Sequence, residues 1–170
     1  GSGYYARKFK EIIESENPDK IILLGDLYYH GPRNKLSLEY APMEVAEILN
    51  SFKNKLVTAR GNCDAEVDEM ISEFKFEENI RLEINNKNFF FTHGHKYNID
   101  NLPNQDFDVM VYGHFHTGFI KEENGKIFLN SGSISLPKDN TKNSYLIIAD
   151  NCVYLKDLDG NIIDKIYYLT

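Results

Sequence analysis

Two short runs of mostly apolar residues in the first half of the sequence constrain the fold more than any other feature. Residues 21–24 and 56–59 are four residues long and lack the regular polar alternation of a half-exposed strand. Such runs are typical of strands buried on both faces of a sheet. Residues 42–52 carry apolar side chains at helical spacing, and a second helix is predicted over 65–74. The order strand, helix, strand, helix predicts an α/β fold.

The second half of the chain changes character, because strand there follows strand. Asn124-Gly125 and Asp159-Gly160 are typical hairpin turns. A helix is also predicted at the start, over residues 4–13, and residues 30–40 are an irregular stretch that we expect to be a surface loop. The later strands are predicted at residues 80–84, 89–92, 109–112, 119–121, 126–129, 145–148, 153–158 and 162–168. The fold class is therefore α/β with much antiparallel strand.

Size, charge and cysteine content limit the class of protein. A chain of 170 residues with 42% hydrophobic content can bury one substantial core, so residues 1–170 are predicted to form a single domain. No run approaches the roughly 20 apolar residues of a membrane helix, and the start lacks a signal-peptide pattern. Cys63 and Cys152 do not have the spacing of a disulfide framework, which predicts a cytoplasmic protein. A net charge of −7 argues against nucleic-acid binding.

Side chains that can bind a metal stand directly after the predicted strands. Asp26 follows the first strand and Asn62 the second, while His93 and the pair His114 and His116 follow later strands. Ligands of α/β sheets bind outside the carboxyl ends of the strands, so donors from separate strands can converge there. A Gly-Asp pair taken singly is more often a simple turn. The combination of all five positions favours a metal site.

These strand ends form an ordered set of motifs that resembles the calcineurin-like metallophosphoesterase family. Within that family, the loop at residues 30–34 and the cysteine at position 63 look like the YfcE-type bacterial phosphodiesterases, and the likeness covers essentially the whole chain. The resemblance implies a β-sandwich of two mixed sheets flanked by helices. It also implies hydrolysis of small phosphodiester substrates by a hydroxide that bridges two divalent metal ions. The motifs are Gly25-Asp26, Gly61-Asn62-Cys63-Asp64, Thr92-His93-Gly94-His95 and Gly113-His114-Phe115-His116.

The resemblance further implies which residues bind the metals. Asp26 would bridge both ions, and His116 would serve one of them. The other ion would be completed by Asn62, His93 and His114. A shell of oxygen and imidazole ligands suits manganese, which we expect first, with zinc, iron, cobalt and nickel as alternatives.

The Gly-Asn-Cys-Asp motif supplies the remaining catalytic candidates. The resemblance places Asn62, Cys63 and Asp64 at the catalytic centre, with Asp64 orienting its neighbours. Cys63 stands where many relatives carry a histidine that helps to protonate the leaving group or binds phosphate. A thiol titrates near pH 8.5, so Cys63 is either a weak acid or a small packed side chain. We favour packing.

Three basic side chains are candidates for binding the substrate phosphate. His30 and Arg33 belong to the irregular loop, and Arg60 follows the second predicted strand. Arginine offers a planar fork of donors that matches phosphate oxygens. Surface salt bridges are the alternative role for these residues.

The family pattern begins with a strand that ends in Asp-x-His-Gly, whose Asp and His bind the metal shared with His116. Neither residue is present in this sequence, so we expect an N-terminally truncated chain without the first strand. Gly1-Ser2 is then either the tail of that motif or an expression scar. With two ligands missing, the chain as written is predicted to be inactive or nearly so.

Two other functions remain open at this point. A non-catalytic interaction scaffold is one, because the retromer small subunit has the family fold, although the retained metal ligands argue against it. A phosphomonoesterase is the other, since it would share every ligand and differ only in pocket shape. No membrane partner is expected. Tyrosines around the irregular loop, namely Tyr28, Tyr29 and Tyr40, also suggest a homo-oligomer contact, because tyrosine is enriched in interface cores.

Overall fold

The computed structural model describes residues 1–169, which form two compact units, residues 1–78 and 79–169. Helices and strands alternate in the first unit, and strands dominate the second. The predicted α/β class is confirmed. That the whole chain is a single domain stays a prediction.

The first unit holds three helices and a parallel three-stranded sheet in the order β1-β2-β3. Ser2 caps the first helix, since its Oγ accepts a hydrogen bond from the Tyr5 amide at 3.1 Å, and Asn17 ends it in the left-handed conformation. The elements are α1 (Gly3–Glu16), β1 (Ile21–Leu23), α2 (Pro42–Asn50), a 3₁₀ turn (Lys53–Lys55), β2 (Leu56–Ala59), α3 (Glu66–Ile71) and β3 (Lys75–Glu77). Since β1 and β2 are adjacent and parallel, their carboxyl ends lie side by side.

The third helix is shorter than its sequence predicts, because it ends at Ile71 and β3 begins only at Lys75. Asn50 is the physical reason for this early end. Its Nδ2 donates to the Ile71 carbonyl at 3.0 Å, and its Oδ1 accepts from the Glu73 amide at 2.8 Å. These bonds satisfy the backbone where the helix stops, and the chain then continues as an edge strand beside β2.

The second unit contains a mixed five-stranded sheet in the order β4-β5-β6-β8-β7 and a separate antiparallel sheet in the order β11-β10-β9. Every residue of β6 is buried, which matches its continuous apolar sequence. β6 runs parallel to β5 on one side and to β8 on the other. The strands are β4 (Ile80–Ile84), β5 (Lys87–Phe91), β6 (Val109–Tyr112), β7 (Phe119–Glu123), β8 (Lys126–Asn130), β9 (Ser144–Ala149), β10 (Cys152–Asp157) and β11 (Ile162–Tyr167).

An aromatic cluster forms part of the core of the second unit. Two of its members, Met110 and Tyr112, belong to β6, the central strand of the five-stranded sheet. Its buried members are Phe90, Phe107, Met110, Tyr112 and Phe128. The predicted hairpin turn at Asn124-Gly125 is confirmed, because both residues have positive φ (53° and 75°), as a tight two-residue hairpin requires.

Two further expectations can be compared with the described residues. Both Cys63 and Cys152 are free thiols. Among residues 1–169 the longest helix, α1, has 14 residues, and none of the described helices has the length and apolar character of a membrane span.

Candidate metal centre

One carboxylate ties together the two loops that leave the parallel sheet of the first unit. Asp64 Oδ2 accepts hydrogen bonds from the amides of Asp26 at 2.9 Å and Gly61 at 2.7 Å, and its Oδ1 accepts from the Leu27 amide at 3.1 Å. Those amides belong to the loops after β1 and β2. Asp64 therefore holds the strand-end residues in a defined arrangement, as its predicted orienting role requires.

The loops approach each other so closely that glycine is required at two positions. A Cβ on Gly61 would lie 2.6 Å from the Asp26 nitrogen, and a Cβ on Gly25 would lie 2.7 Å from the Ala59 carbonyl oxygen. Gly25 also has a φ of 93°. The glycine that precedes each polar strand-end residue thus permits the close backbone approach.

Asp26 itself adopts a left-handed conformation with a φ of 55°. This backbone region is uncommon for residues other than glycine, and such residues cluster at functional sites. One side-chain oxygen, Oδ1, accepts a hydrogen bond from the Cys63 amide at 2.9 Å. The carboxylate is therefore oriented by the Gly-Asn-Cys-Asp segment.

Asn62 and Cys63 are neighbours on the loop after β2, and Cys63 is half-buried. Asn62 is exposed, and its Nδ2 lies 3.6 Å from the Cys63 sulfur. Burial raises the pKa of the Cys63 thiol, and the negative charges of Asp26 and Asp64 raise it further, whereas Arg33 opposes them. These effects favour the neutral thiol over the thiolate.

The irregular loop lies against this cysteine. A Cβ on Gly31 would lie 3.2 Å from the Cys63 sulfur. Arg33 is exposed and near enough to influence the thiol electrostatically. His30 is buried beside the Tyr29 ring, and among the described residues neither of its ring nitrogens has a hydrogen-bond partner. The structure thus places His30 and Arg33 on the loop beside the Gly-Asn-Cys-Asp motif.

Arg60 contacts other residues of the first unit. Its guanidinium forms an ion pair with Glu69 and stacks over the Phe76 ring at 5.6 Å from the ring centre. These contacts match the salt-bridge alternative for this residue. Its role in substrate binding stays a prediction.

In the second unit, two neighbouring parallel strands carry the histidines. His93 comes two residues after the end of β5, and His114 comes two residues after the end of β6. His93 Nε2 lies 3.1 Å from His114 Nδ1, and the His95 ring centre is 5.3 Å from that of His93. The nitrogens of His93 and His114 are close enough to each other to bind one cation.

His116 is oriented by a backbone carbonyl. Its Nδ1 lies 2.8 Å from the Leu136 oxygen, which only accepts, so Nδ1 is the protonated nitrogen. A metal-binding histidine typically donates one ring N–H to such a group and ligates through the other nitrogen. His114 and His116 both have positive φ, at 61° and 60°.

Asn130 is a positioning residue that the sequence did not identify as important. It is fully buried at the end of β8, where its Nδ2 donates to the Gly113 carbonyl at 2.9 Å and its Oδ1 accepts from the Gly132 amide at 2.9 Å. It therefore fixes the residue immediately before His114. The available signal was the same as for the metal candidates: a polar residue that closes a run of apolar ones.

Comparison with known proteins places the chain in a family. Residues 2–150 match the model of the calcineurin-like phosphoesterase superfamily domain. The chain belongs to this superfamily. It is 43% identical over 163 residues to phosphodiesterase YfcE of Escherichia coli K12. This alignment covers 92% of this chain and 86% of the relative. It is 26% identical over 136 residues to phosphodiesterase MJ0936 of Methanocaldococcus jannaschii, covering 74% of each.

Solved structures agree with this assignment. The structure of the E. coli phosphoesterase Yfce superposes with a TM-score of 0.95 and 32% identity, covering 99% of this chain and 94% of that one. Vps29 of Chaetomium thermophilum superposes with a TM-score of 0.59 and 19% identity, covering 94% of this chain and 86% of that one, and this shows the fold alone. The predicted family is confirmed, as is its hydrolytic phosphoesterase class.

Divalent metals are implied by the superfamily, and the donors in each unit fit them. The imidazole nitrogens of His93 and His114 are 3.1 Å apart, close to the spacing of two ligands that are each about 2 Å from one ion. The first unit offers a carboxylate at Asp26 and an amide at Asn62. Such a set of nitrogen and oxygen donors suits manganese, zinc or iron.

Replacing Asp64 tests the tie between the two strand-end loops. In Asp64→Asn only one oxygen remains to accept from three amides, and the new NH₂ group faces donors. We expect the free energy of unfolding, measured by urea denaturation, to fall by on the order of 1–3 kcal/mol. The matched change Asp19→Asn, at an exposed position, should alter it by less than about 0.5 kcal/mol. Equal effects from both substitutions would contradict the bridging role.

Proposed function

We propose that this chain is a metal-dependent phosphodiesterase that hydrolyses small phosphodiester substrates at a dinuclear metal centre. The main support is the pattern of donors after parallel strands: Asp26 and Asn62 after β1 and β2, and His93 and His114 after β5 and β6. The names of the relatives YfcE and MJ0936 supply the diester class.

The ligand assignment follows the family pattern. Asp26 would contact both ions, and His116 would serve the second. The first ion would be completed by Asn62, His93 and His114. When bound, two such ions neutralise phosphate charge and lower the pKa of water toward neutrality. We expect manganese, with zinc, iron, cobalt and nickel as alternatives.

The other residues act around these ligands. Asp64 orients Asp26 through the backbone amide, and the Cys63 amide orients the Asp26 carboxylate. Arg33 is proposed to contact the substrate phosphate because it is exposed and lies beside the Gly-Asn-Cys-Asp motif. His30 and Arg60 are proposed to contribute to the same subsite. His30 is the better supported of the two, since Arg60 is already paired with Glu69.

Asp26 is the decisive position for testing the function. In a chain extended at its N-terminus by an Asp-x-His-Gly strand, Asp26→Asn retains an acceptor for the Cys63 amide but loses the charge that would join two cations. We expect manganese-supported hydrolysis of bis(p-nitrophenyl) phosphate to fall to background, with less metal bound per chain by mass spectrometry. Asp19→Asn serves as the control and should match the parent. Wild-type turnover in Asp26→Asn would refute the two-metal hypothesis.

The same assay separates the alternative functions. A faster rate on p-nitrophenyl phosphate than on the diester would assign a phosphomonoesterase. Absence of turnover on both compounds, with no stoichiometric metal, would assign a non-catalytic scaffold.

Cys63→Ser decides between packing and acid catalysis. If the thiol only fills space beside Gly31, the smaller hydroxyl should leave diester turnover within about threefold of the parent, whereas loss of a general acid costs roughly 100-fold or more. The measurement is kcat at unchanged metal content. A loss of the larger size would make Cys63 a catalytic residue.

Arg33→Ala tests the substrate contact. Removing a cation that grips the ground-state phosphate should raise KM more than it lowers kcat, because such binding is shared by substrate and transition state. Steady-state kinetics on the diester, beside the exposed control Lys20→Ala, will measure both constants. An unchanged KM would indicate that Arg33 is an exposed surface charge that does not contact the substrate.

A further inference from the structure

A large apolar side chain stands exposed between two candidate metal ligands of the second unit. Phe115 lies between His114 and His116 in the sequence, and 47% of the residue is exposed. Isolated apolar side chains are common on protein surfaces and by themselves indicate no function. Phe115 differs from such residues in its place, because both of its neighbours in the chain are proposed to bind the metal ions.

The backbone around Phe115 is held on both sides. Its amide donates to the Gly113 carbonyl at 2.6 Å, which closes a three-residue turn, and its carbonyl accepts from the Thr117 hydroxyl at 3.4 Å. The two flanking residues have positive φ, 61° at His114 and 60° at His116. Non-glycine residues keep this conformation when the surrounding contacts determine it. The Phe115 ring therefore projects from a turn of defined conformation.

Aromatic neighbours support the ring. The Phe115 and His114 rings meet edge-to-face, with their centres 5.1 Å apart and an angle of 82° between the planes. The Tyr112 ring makes a similar contact at 6.2 Å and 78°. Tyr112 is a buried residue of β6 whose hydroxyl accepts a hydrogen bond from the Ile99 amide at 3.4 Å. Phe115 is thus an exposed ring that rests on the aromatic core of the second unit.

An exposed aromatic ring in a fixed position favours a particular class of ligand. Aromatic rings stack on one another or meet edge-to-face, and these contacts add to the affinity that comes from burial alone. Nucleobases stack on exposed aromatic side chains in the same way. The phenylalanine side chain has no hydrogen-bonding group and no charge, so it does not recognise a phosphate. It favours the aromatic groups that a phosphate carries over alkyl groups.

We propose that Phe115 determines substrate specificity by stacking against an aromatic ring of the phosphodiester, either an aryl ester or a nucleobase. These two groups share one chemistry, a flat ring that an ester linkage connects to the phosphate. The proposal rests on the proposed function, because a phosphate is held beside Phe115 only if His114 and His116 bind the metal ions.

Inhibition by phosphate monoesters tests the contact, because each monoester carries a single organic group. The inhibitors are phenyl phosphate, thymidine 5′-monophosphate and methyl phosphate, measured against manganese-supported hydrolysis of bis(p-nitrophenyl) phosphate by the chain extended with an Asp-x-His-Gly strand. Phe115→Ala should raise the inhibition constant of a ring-bearing monoester about tenfold and leave that of methyl phosphate within about twofold. Loss of bound metal would raise all three constants together, so methyl phosphate is the internal control.

Two matched variants separate stacking from its alternatives. Phe115→Leu keeps an apolar side chain but removes the ring, so it should behave as Phe115→Ala does. Tyr167→Ala removes an exposed aromatic ring from β11 and should leave all three constants unchanged. A rise for phenyl phosphate alone would assign an aryl ester, and a rise for the nucleotide alone would assign a nucleobase. The absence of a selective rise for either compound, or parental affinity in Phe115→Leu, would overturn the proposal.

A second measurement does not require hydrolysis. The sequence contains no tryptophan, so Phe115→Trp introduces one fluorescent indole at this position. With manganese present, phenyl phosphate or thymidine 5′-monophosphate should change its emission saturably, whereas methyl phosphate should not. Tyr167→Trp is the control and should respond to none of the three compounds.

The two measurements distinguish failure of this proposal from failure of the proposed function. If the parent does not hydrolyse the diester, the proposed function is wrong, and the fluorescence response alone decides whether the ring contact exists. If the parent hydrolyses the diester but the Phe115→Trp variant responds equally to methyl phosphate and the ring-bearing monoesters, or to none of them, the ring contact is refuted.

Discussion

The hydrogen bonds of Asp64 are the constraint on which the arrangement of the first unit depends. One carboxylate accepts from the amides of Asp26, Leu27 and Gly61, so it joins the carboxyl ends of two parallel strands that are remote in sequence. Charged acceptors form stronger hydrogen bonds than neutral ones, and each of these bonds fixes a backbone amide rather than a mobile side chain. The position of the Asp26 carboxylate is therefore set by the backbone that these hydrogen bonds hold in place.

In the second unit a neutral side chain, that of Asn130, fixes the backbone before a candidate metal ligand. Asn130 connects the Gly113 carbonyl to the Gly132 amide and so fixes the turn that leads to His114. The turn also has positive φ at His114 and His116, as the first unit does at Asp26. Non-glycine residues enter this region at a cost, and they remain there when the surrounding bonds determine the conformation. In both units a buried or bridging polar side chain stabilises a strand-end residue with positive φ that is a candidate metal ligand.

The strand ends were predictable from sequence because a buried parallel strand is a short apolar run and its terminus is marked by glycine and a polar residue. The helix predicted over residues 65–74 is longer than the observed one. Its end depends on hydrogen bonds from Asn50, which lies more than twenty positions earlier in the sequence. Asn130 closes an apolar run as the metal candidates do, but its role depends on the Gly113 carbonyl, which lies 17 residues earlier in the sequence. The local sequence pattern predicts helices and strands, whereas hydrogen bonds to residues distant in sequence determine where they end.

Electrostatics in the first unit favour a cation. Asp26 and Asp64 lie close enough to Cys63 for both charges to raise the pKa of its thiol, so the surroundings of the sulfur are negatively charged. Arg33 offsets only part of this field, and Arg60 directs its charge to Glu69. A phosphate group entering alone would be repelled by the carboxylates. Divalent ions bound there would make the local electrostatic potential positive. The carboxylates that hold the ions would then contribute to anion binding. Under the proposed function, a protein with a net charge of −7 would act on an anionic substrate because bound metal and Arg33 would supply the attraction that the acidic remainder of the surface does not.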